Sequence, residues 1–151
     1  MSQIHLTAEP APIRPDPSRT ALVIIDMQRD FLEPGGFGET LGNDVSLLQG
    51  AVAPCRAALE SARAAGMLIV HTREGHRPDL SDAPPAKIAR GEPSRRIGDL
   101  GPMGRILVRG EYGHGIVDEL APLPSELVVD KPGKGSFHGT DLHDHLTAAG
   151  I

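Results

Sequence analysis

Hydrophobic residues are concentrated in three continuous runs, at residues 21–25, 67–72 and 127–130. The runs are rich in Val, Ile and Leu and do not alternate with polar residues. Continuous hydrophobicity is typical of strands that are buried on both faces, as in a parallel sheet. The pattern therefore predicts three parallel strands.

A helical pattern lies between the first two runs, where apolar residues recur in steps of three and four from Val45 to Ala62. This spacing predicts an amphipathic helix. Asn43 or Asp44 is suited to cap its start, because a short polar side chain can accept a hydrogen bond from the first turn. Pro54 lies inside the pattern and cannot donate a backbone hydrogen bond, so we expect a break or kink there.

The second half of the chain contains one long irregular segment, at residues 73–104, rich in Arg, Gly, Asp and Pro. A loop of this length is usually functional. Residues 106–108 predict a short extended piece and residues 116–120 a short helix. Thr140 is expected to cap a last helix.

The predicted order of elements is strand, helix, strand, loop with a short helix, strand and helix. Helical crossovers between strands favour an α/β domain with a parallel sheet. Residues 1–19 contain four prolines and no apolar run, and they predict an extended arm. Residues 20–151 then form the domain itself.

Composition and charge exclude several classes of protein. Fifteen basic and twenty acidic residues give a net charge of −5, and aromatic residues make up only 3% of the chain. We therefore expect no nucleic-acid partner. No apolar run is long enough to predict a membrane span. Cys55 is the single cysteine, which excludes an intramolecular disulfide and is typical of a reducing, cytoplasmic compartment.

Two charged residues stand at the ends of predicted strands, Asp26 after the first and Lys131 after the third. Parallel sheets place ligands at the carboxyl ends of their strands. Asp26 is accordingly a candidate general base, and a helix cap or loop anchor is the alternative. Lys131 is a candidate partner for Asp26 or for a nucleophile, and a solvated pair with Lys134 is the alternative.

For the remaining candidate nucleophile and metal ligands, the sequence favours structural roles. Cys55 lies on the apolar stripe of the first predicted helix, where a free cysteine usually acts as a small buried hydrophobe. His143 and His145 are two residues apart on the last helix and point to different faces, which does not suit a shared metal ion. His71 and His76 have no acidic partner at a spacing typical of metal ligands. We therefore expect no metal ion and no cofactor.

Two segments carry a resemblance to a known family. Residues 21–31 resemble the opening motif of the isochorismatase-like cysteine hydrolases, with Asp26, Gln28, Asp30 and Phe31 at the characteristic positions. A second stretch, Lys-Pro-Gly-Lys-Gly-Ser-Phe from residue 131, is similar to the family's lysine motif. Within the family, the Phe-Leu-Glu-Pro-Gly-Gly-Phe-Gly stretch, the loop at 98–105 and this lysine motif look most like biuret and triuret hydrolases.

The resemblance implies a three-layer α-β-α fold and an Asp–Lys–Cys triad that cleaves an amide or ureide C–N bond, such as that of biuret. Asp26 would accept the thiol proton and Lys131 would favour the thiolate. Lys134 would donate a hydrogen bond to a substrate carbonyl. The remaining pocket residues implied by the resemblance are Gln28, Phe31 and Phe37. The long loop at 73–104 could cover the site, and the family commonly forms tetramers.

The nucleophile of this family follows a fourth strand, beyond the lysine motif. We therefore expect the chain to supply the N-terminal part of such a hydrolase, with residues 20–151 as that part of one domain. On this interpretation the chain alone is inactive, and a C-terminal fragment or chain completes the site. The alternatives are a ureidoacrylate or other amide hydrolase of the same family, a non-catalytic binding or assembly subunit, and a nonfunctional fragment.

Overall fold

The computed structural model describes residues 4–151; residues 1–3 of the predicted arm lie outside the described residues. Its strands are β1 (Ala21–Ile25), β2 (Leu68–Glu74), β3 (Leu100–Gly101), β4 (Gly104–Arg105) and β5 (Leu127–Lys131). Its α-helices are α1 (Arg29–Leu32), α2 (Phe37–Thr40), α3 (Val45–Gln49), α4 (Val52–Ala64), α5 (Pro85–Ile88) and α6 (Leu142–Ala148). Two short 3₁₀ turns span Pro17–Arg19 and Asp118–Leu120.

The central sheet contains the three predicted strands, all parallel, in the order β1-β2-β5. The register pairs Ile25 with Thr72 and Glu74 with Lys131. The carboxyl ends of the three strands therefore meet at one edge of the sheet. β3 and β4 form a separate antiparallel hairpin within the long irregular segment.

Alternate residues of the strands pack on opposite faces of the sheet, as the strand period of two requires. On one face, Ile24 and Ile69 contact Leu59 of α4 and Leu120 of the second 3₁₀ turn. On the other face, Val70 and Val129 pack with Leu142 of α6. The fold is therefore a three-layer α-β-α arrangement, as predicted.

The first helical region is divided differently from the prediction. α3 and α4 are separated at Gly50 and Ala51, and Pro54 lies in the first turn of α4. The expected break at Pro54 was therefore wrong. The first turn of a helix tolerates proline because its backbone N–H groups have no intrahelical acceptor. Asp44, rather than Asn43, caps α3 by accepting a hydrogen bond from the Ser46 N–H.

Three shorter segments also differ from their predictions. Residues 106–108 form a buried loop and not a strand, with one isolated bridge between Val108 and His76. The short helix predicted at 116–120 is reduced to the 3₁₀ turn Asp118–Leu120. The arm is not simply extended, since Leu6 and Ile13 exchange two backbone hydrogen bonds of 3.0 Å.

The last helix begins at Leu142, and Asp141 occupies its N-cap position. The Thr140 hydroxyl still accepts a 3.4 Å hydrogen bond from the Leu142 N–H. No helix in residues 4–151 combines the length and hydrophobicity that a membrane crossing requires.

Candidate active site

Asp26 and Lys131 meet at the carboxyl edge of the sheet. Lys131 Nζ donates a 2.6 Å hydrogen bond to Asp26 Oδ2 and a 2.9 Å bond to the carbonyl oxygen of Gly133. The Lys131 side chain is fully buried, whereas the Asp26 side chain retains 21% of its exposure. A buried ammonium needs such partners because burial without them strongly disfavours the charged form. The solvated lysine considered from sequence is therefore not what the structure contains.

The backbone and a neighbouring hydroxyl fix the orientation of Asp26. Its φ of 53° lies in the left-handed region, which non-glycine residues rarely adopt and which often accompanies functional sites. Thr72, its neighbour on β2, donates a 2.8 Å hydrogen bond from Oγ1 to Asp26 Oδ1. One carboxylate oxygen thus faces Lys131 and the other faces Thr72.

Glu74 adds a second carboxylate beside Lys131. Its Oε2 lies 3.7 Å from Lys131 Nζ, and its Oε1 lies 2.6 Å from Lys87 Nζ. Lys87 also donates a 2.8 Å hydrogen bond to the carbonyl oxygen of Pro132. Lys87 belongs to α5, so this contact attaches the long irregular segment to the loop that follows Lys131.

Gln28 lies beneath the site and does not line the cavity described below. Its Nε2 donates to the carbonyl oxygens of Glu74 and His114, at 2.9 and 3.0 Å, and its Oε1 accepts the Glu74 N–H at 2.7 Å. The side chain is fully buried. The amide thus holds the end of β2, and the predicted pocket-shaping role of Gln28 stays a prediction.

A cavity of about 260 Å³ lies beside Glu74. It contains the three other predicted binding residues, Phe31, Phe37 and Lys134. The two rings form an edge-to-face pair with centroids 6.3 Å apart. The long irregular segment supplies Lys87, Arg90 and Ile97 to the same cavity, together with Leu41 and Asn43 from the α2–α3 region. The segment thus borders the cavity.

Comparison with known proteins places this geometry in a family. The isochorismatase domain matches residues 20–151. The match covers the sheet, the Asp26–Lys131 pair and the cavity, and it extends over most of the chain. The chain belongs to the isochorismatase family.

Solved structures of related proteins agree with this assignment. A cysteine hydrolase from Pseudomonas syringae pv. phaseolicola is 27% identical, with a TM-score of 0.69 over 91% of this chain and 57% of that chain. An isochorismatase family protein from Desulfovibrio vulgaris is 32% identical, with a TM-score of 0.66 over 87% of this chain and 62% of that chain. N-carbamoylsarcosine amidase from Thermoplasma acidophilum is 26% identical, with a TM-score of 0.62 and the same coverages of 87% and 62%. The chain thus spans less than two thirds of each of these proteins.

The family motif also contains a buried acid that forms no ion pair within residues 4–151. Asp30 is 2% exposed, and its Oδ2 accepts a 2.8 Å hydrogen bond from the Leu107 N–H. Burial raises the pKa of Asp30 to about 6, and the nearby charge of Glu111 acts in the same direction. Leu107 has a φ of 50°, so Asp30 holds a backbone conformation that leucine rarely adopts.

The single thiol lies away from the strand ends. Cys55 is on α4 and packs against the apolar cluster that contains Leu59 and Ile24. Its location on the helix layer agrees with the structural interpretation made from sequence. Among the described residues, no cysteine lies at the carboxyl edge of the sheet.

The histidines are distributed between the surface and buried positions beside carboxylates. His143 and His145 are exposed on α6. His71 and His76 are fully buried, with Glu126 and Asp82 at 2.9 and 3.1 Å, and burial lowers the pKa of both rings. Within residues 4–151, no group of three or more metal-ligating side chains comes together.

Sequence reasoning missed Thr72, Glu74 and Lys87 as neighbours of the pair. The register of a parallel sheet could have indicated Thr72 and Glu74, since both lie at the carboxyl end of the second hydrophobic run. Lys87 carries no such signal, because its position depends on how the long loop folds back.

Proposed function

We propose that this chain supplies the Asp–Lys part of a cysteine hydrolase that cleaves a C–N bond of a small ureide or amide. The observation that carries the proposal is the buried Lys131 ammonium, 2.6 Å from a carboxylate at the carboxyl edge of a parallel sheet. Such a pair provides a proton acceptor next to a fixed positive charge. Those are the two functions that activation of a thiol requires.

In the proposed reaction, Asp26 accepts the thiol proton and Lys131 stabilises the resulting thiolate. The thiolate attacks the carbonyl carbon, and a tetrahedral oxyanion forms. When the C–N bond breaks, the proton returns from Asp26 to the leaving nitrogen, which departs as ammonia. Water, deprotonated by Asp26, then attacks the thioester and releases the acid and the thiol.

The topology supports a position for the nucleophilic thiol. The crossovers from β1 to β2 and from β2 to β5 lie on the α4 face, whereas α6 lies on the opposite face. Because crossovers between parallel strands are right-handed, a helix on the opposite face directs the next strand to the free edge of β1. A strand added there ends beside Asp26. We propose that this strand, from a further segment or a second chain, carries the nucleophilic cysteine.

Biuret is the substrate that the sequence motifs favour, and allophanate and ammonia would be its products. Lys134 lines the cavity and would donate a hydrogen bond to a substrate carbonyl, while Phe31 and Phe37 would contact the flat surface of the substrate. An N-carbamoyl amino acid is a second candidate, since one similar structure is an N-carbamoylsarcosine amidase. We also propose a cytoplasmic location and a homo-oligomer, with tetramers as the expected form.

A binding or assembly subunit is the competing function. It is favoured by one observation, that the only thiol in residues 4–151 is Cys55 on α4. On that proposal the Asp26–Lys131 site would bind a ureide without cleaving it.

The deciding experiment measures the mass of the native material and its release of ammonia from biuret and N-carbamoyl amino acids. Turnover is expected only when a second polypeptide, or a longer form of the chain, contributes a cysteine. In such material, Asp26→Asn and Lys131→Ala should each abolish turnover without unfolding the protein. Glu60→Gln, which changes an exposed residue of α4, is the matched control.

Two results would contradict the proposal. Turnover by the 151-residue chain alone would show that no further cysteine is needed. Normal turnover in either the Asp26→Asn or the Lys131→Ala variant would remove that residue from the mechanism.

A further inference from the structure

The cavity beside the Asp26–Lys131 pair differs in charge from the rest of the chain. The chain has a net charge of −5. Four charged residues line the cavity: one acid, Glu74, and three cations, Lys87, Arg90 and Lys134. A local excess of positive charge in an acidic protein indicates a site that attracts an anion.

Ion pairing inside the site accounts for two of the cations in this region but not for the others. Lys131 is paired with Asp26, and Lys87 is paired with Glu74 at 2.6 Å. Within residues 4–151, Arg90 and Lys134 form no ion pair and no side-chain hydrogen bond. Two positive charges therefore face the cavity without compensation by a protein carboxylate.

We infer that Arg90 and Lys134 bind a carboxylate of the substrate. Of the two candidate substrates, the preferred ligand is then a ureido acid such as an N-carbamoyl amino acid, and not the biuret that the sequence motifs favour. The planar guanidinium of Arg90 can engage both oxygens of a carboxylate, and the ammonium of Lys134 adds a second cation. The inference rests on the proposed function, because it assigns one end of a ureide that is cleaved at the other end.

The geometry of the cavity is consistent with a ligand of this kind. Glu74 lines the cavity and also lies 3.7 Å from Lys131 Nζ, so the cavity adjoins the Asp26–Lys131 pair. The Phe31–Phe37 pair supplies an apolar wall for the carbons between the two polar ends. A neutral ureide such as biuret leaves the charges of Arg90 and Lys134 uncompensated. It should therefore bind more weakly than a ureido acid.

The test is a set of titrations in which each ligand is added to the chain and binding is monitored by changes in NMR chemical shifts. The ligands are N-carbamoylglycine, its neutral amide N-carbamoylglycinamide, and biuret. The acid should bind about tenfold more tightly than the amide, as expected for a charge-assisted hydrogen bond worth about 1.4 kcal/mol. Raising the salt concentration should weaken binding of the acid and leave the amide unchanged.

Substitutions locate the effect. Arg90→Gln should remove most of the preference for the acid, while affinity for the amide stays the same. Lys134→Gln should also reduce the preference, but it should weaken binding of the amide as well, because Lys134 would donate to the ureide carbonyl that both ligands share. Arg95→Gln removes the same charge from the same loop, outside the residues that line the cavity, and should preserve the preference.

The outcomes separate this inference from the proposed function. Equal binding of acid and amide would overturn the carboxylate site and leave the ureide site in place. Equal loss in Arg95→Gln would also overturn it, because the effect would then come from overall charge. Binding of the acid without any ureide hydrolysis in cysteine-containing material would support the carboxylate site and contradict the catalytic proposal. No binding of any ligand, either to the chain or to the cysteine-containing material, would overturn both.

Discussion

Replacement of Asp30 by Asn tests whether the raised pKa of this buried acid shapes the stability of the fold. The Asp30 carboxylate is 2% exposed, accepts one hydrogen bond from the Leu107 N–H, and forms no ion pair with a described cation. Asn keeps an oxygen that can accept the same hydrogen bond, but it cannot ionise. The substitution therefore removes the buried charge and preserves the shape of the side chain.

The expected change in unfolding free energy follows from the difference in the proton affinity of Asp30 between the folded and unfolded states. The pKa of Asp30 rises from the ordinary value of 3.8 to about 6, mainly through burial. Because the folded state binds this proton more tightly, the acid imposes no penalty well below pH 3.8 and its full penalty above pH 6. At about 1.4 kcal/mol per pKa unit, that penalty is about 3 kcal/mol. Wild type should therefore lose about 3 kcal/mol of stability relative to Asp30→Asn as the pH rises through this window.

Urea unfolding followed by circular dichroism, at pH values from 4 to 8, measures this difference. Buried histidines and other acids titrate in both proteins, so their contributions cancel when the unfolding free energy of one protein is subtracted from that of the other at each pH. Asp144→Asn, an exposed change on α6, should give a curve parallel to wild type. A constant difference between wild type and Asp30→Asn across the whole range would refute the reasoning, because Asp30 would then have an ordinary pKa in the fold.

Three further substitutions have defined expectations. Hydrogen bonds from Arg63 lower the pKa of Glu126 from 4.5 to about 2. Glu126 therefore stabilises the fold above pH 4.5, and this stability is lost as the pH falls toward 2. Glu126→Gln should lower the melting temperature at pH 7 and change it little at pH 2. Leu59→Ala removes a fully buried side chain and should cost about 2–5 kcal/mol in urea unfolding, and a smaller loss would mean that the core closes around the cavity. Gly36→Ala places a Cβ against the Asp30 carbonyl oxygen, closer than van der Waals contact allows, and should reduce the yield of folded protein. Gly133→Ala meets no atom within 4 Å and should leave the yield unchanged.

The sheet could be predicted from sequence because its signal is local. A strand that is buried on both faces has a continuous hydrophobic run, and the three runs correspond to β1, β2 and β5. The break between α3 and α4 could not be placed, because helical periodicity continues across Gly50 and Ala51. Proline at residue 54 gave a misleading signal, since its effect depends on whether it lies in the first turn or the interior of a helix.

The candidate site was predictable only where the sheet determines it. Asp26 and Lys131 follow hydrophobic runs, so their meeting is a consequence of parallel topology. The hydrogen bond from the Gln28 amide to the Glu74 carbonyl oxygen joins a loop to a strand, between residues 46 positions apart in sequence. The position of Lys87 depends on how a long loop folds back, and hydrophobic periodicity carries no information about such contacts.

The arrangement around Lys131 argues for a functional site and against a purely structural ion pair. A fully buried ammonium is a weak source of stability, because its desolvation offsets most of the attraction to its partners. Here it is combined with a left-handed backbone conformation at Asp26, which also disfavours the folded state. Both unfavourable features occur at the carboxyl edge of the sheet, beside the free edge of β1. We propose that the fold retains both features for chemistry, because they lie where parallel sheets bind their ligands. On that proposal, Asp26→Asn should lose turnover without losing the fold.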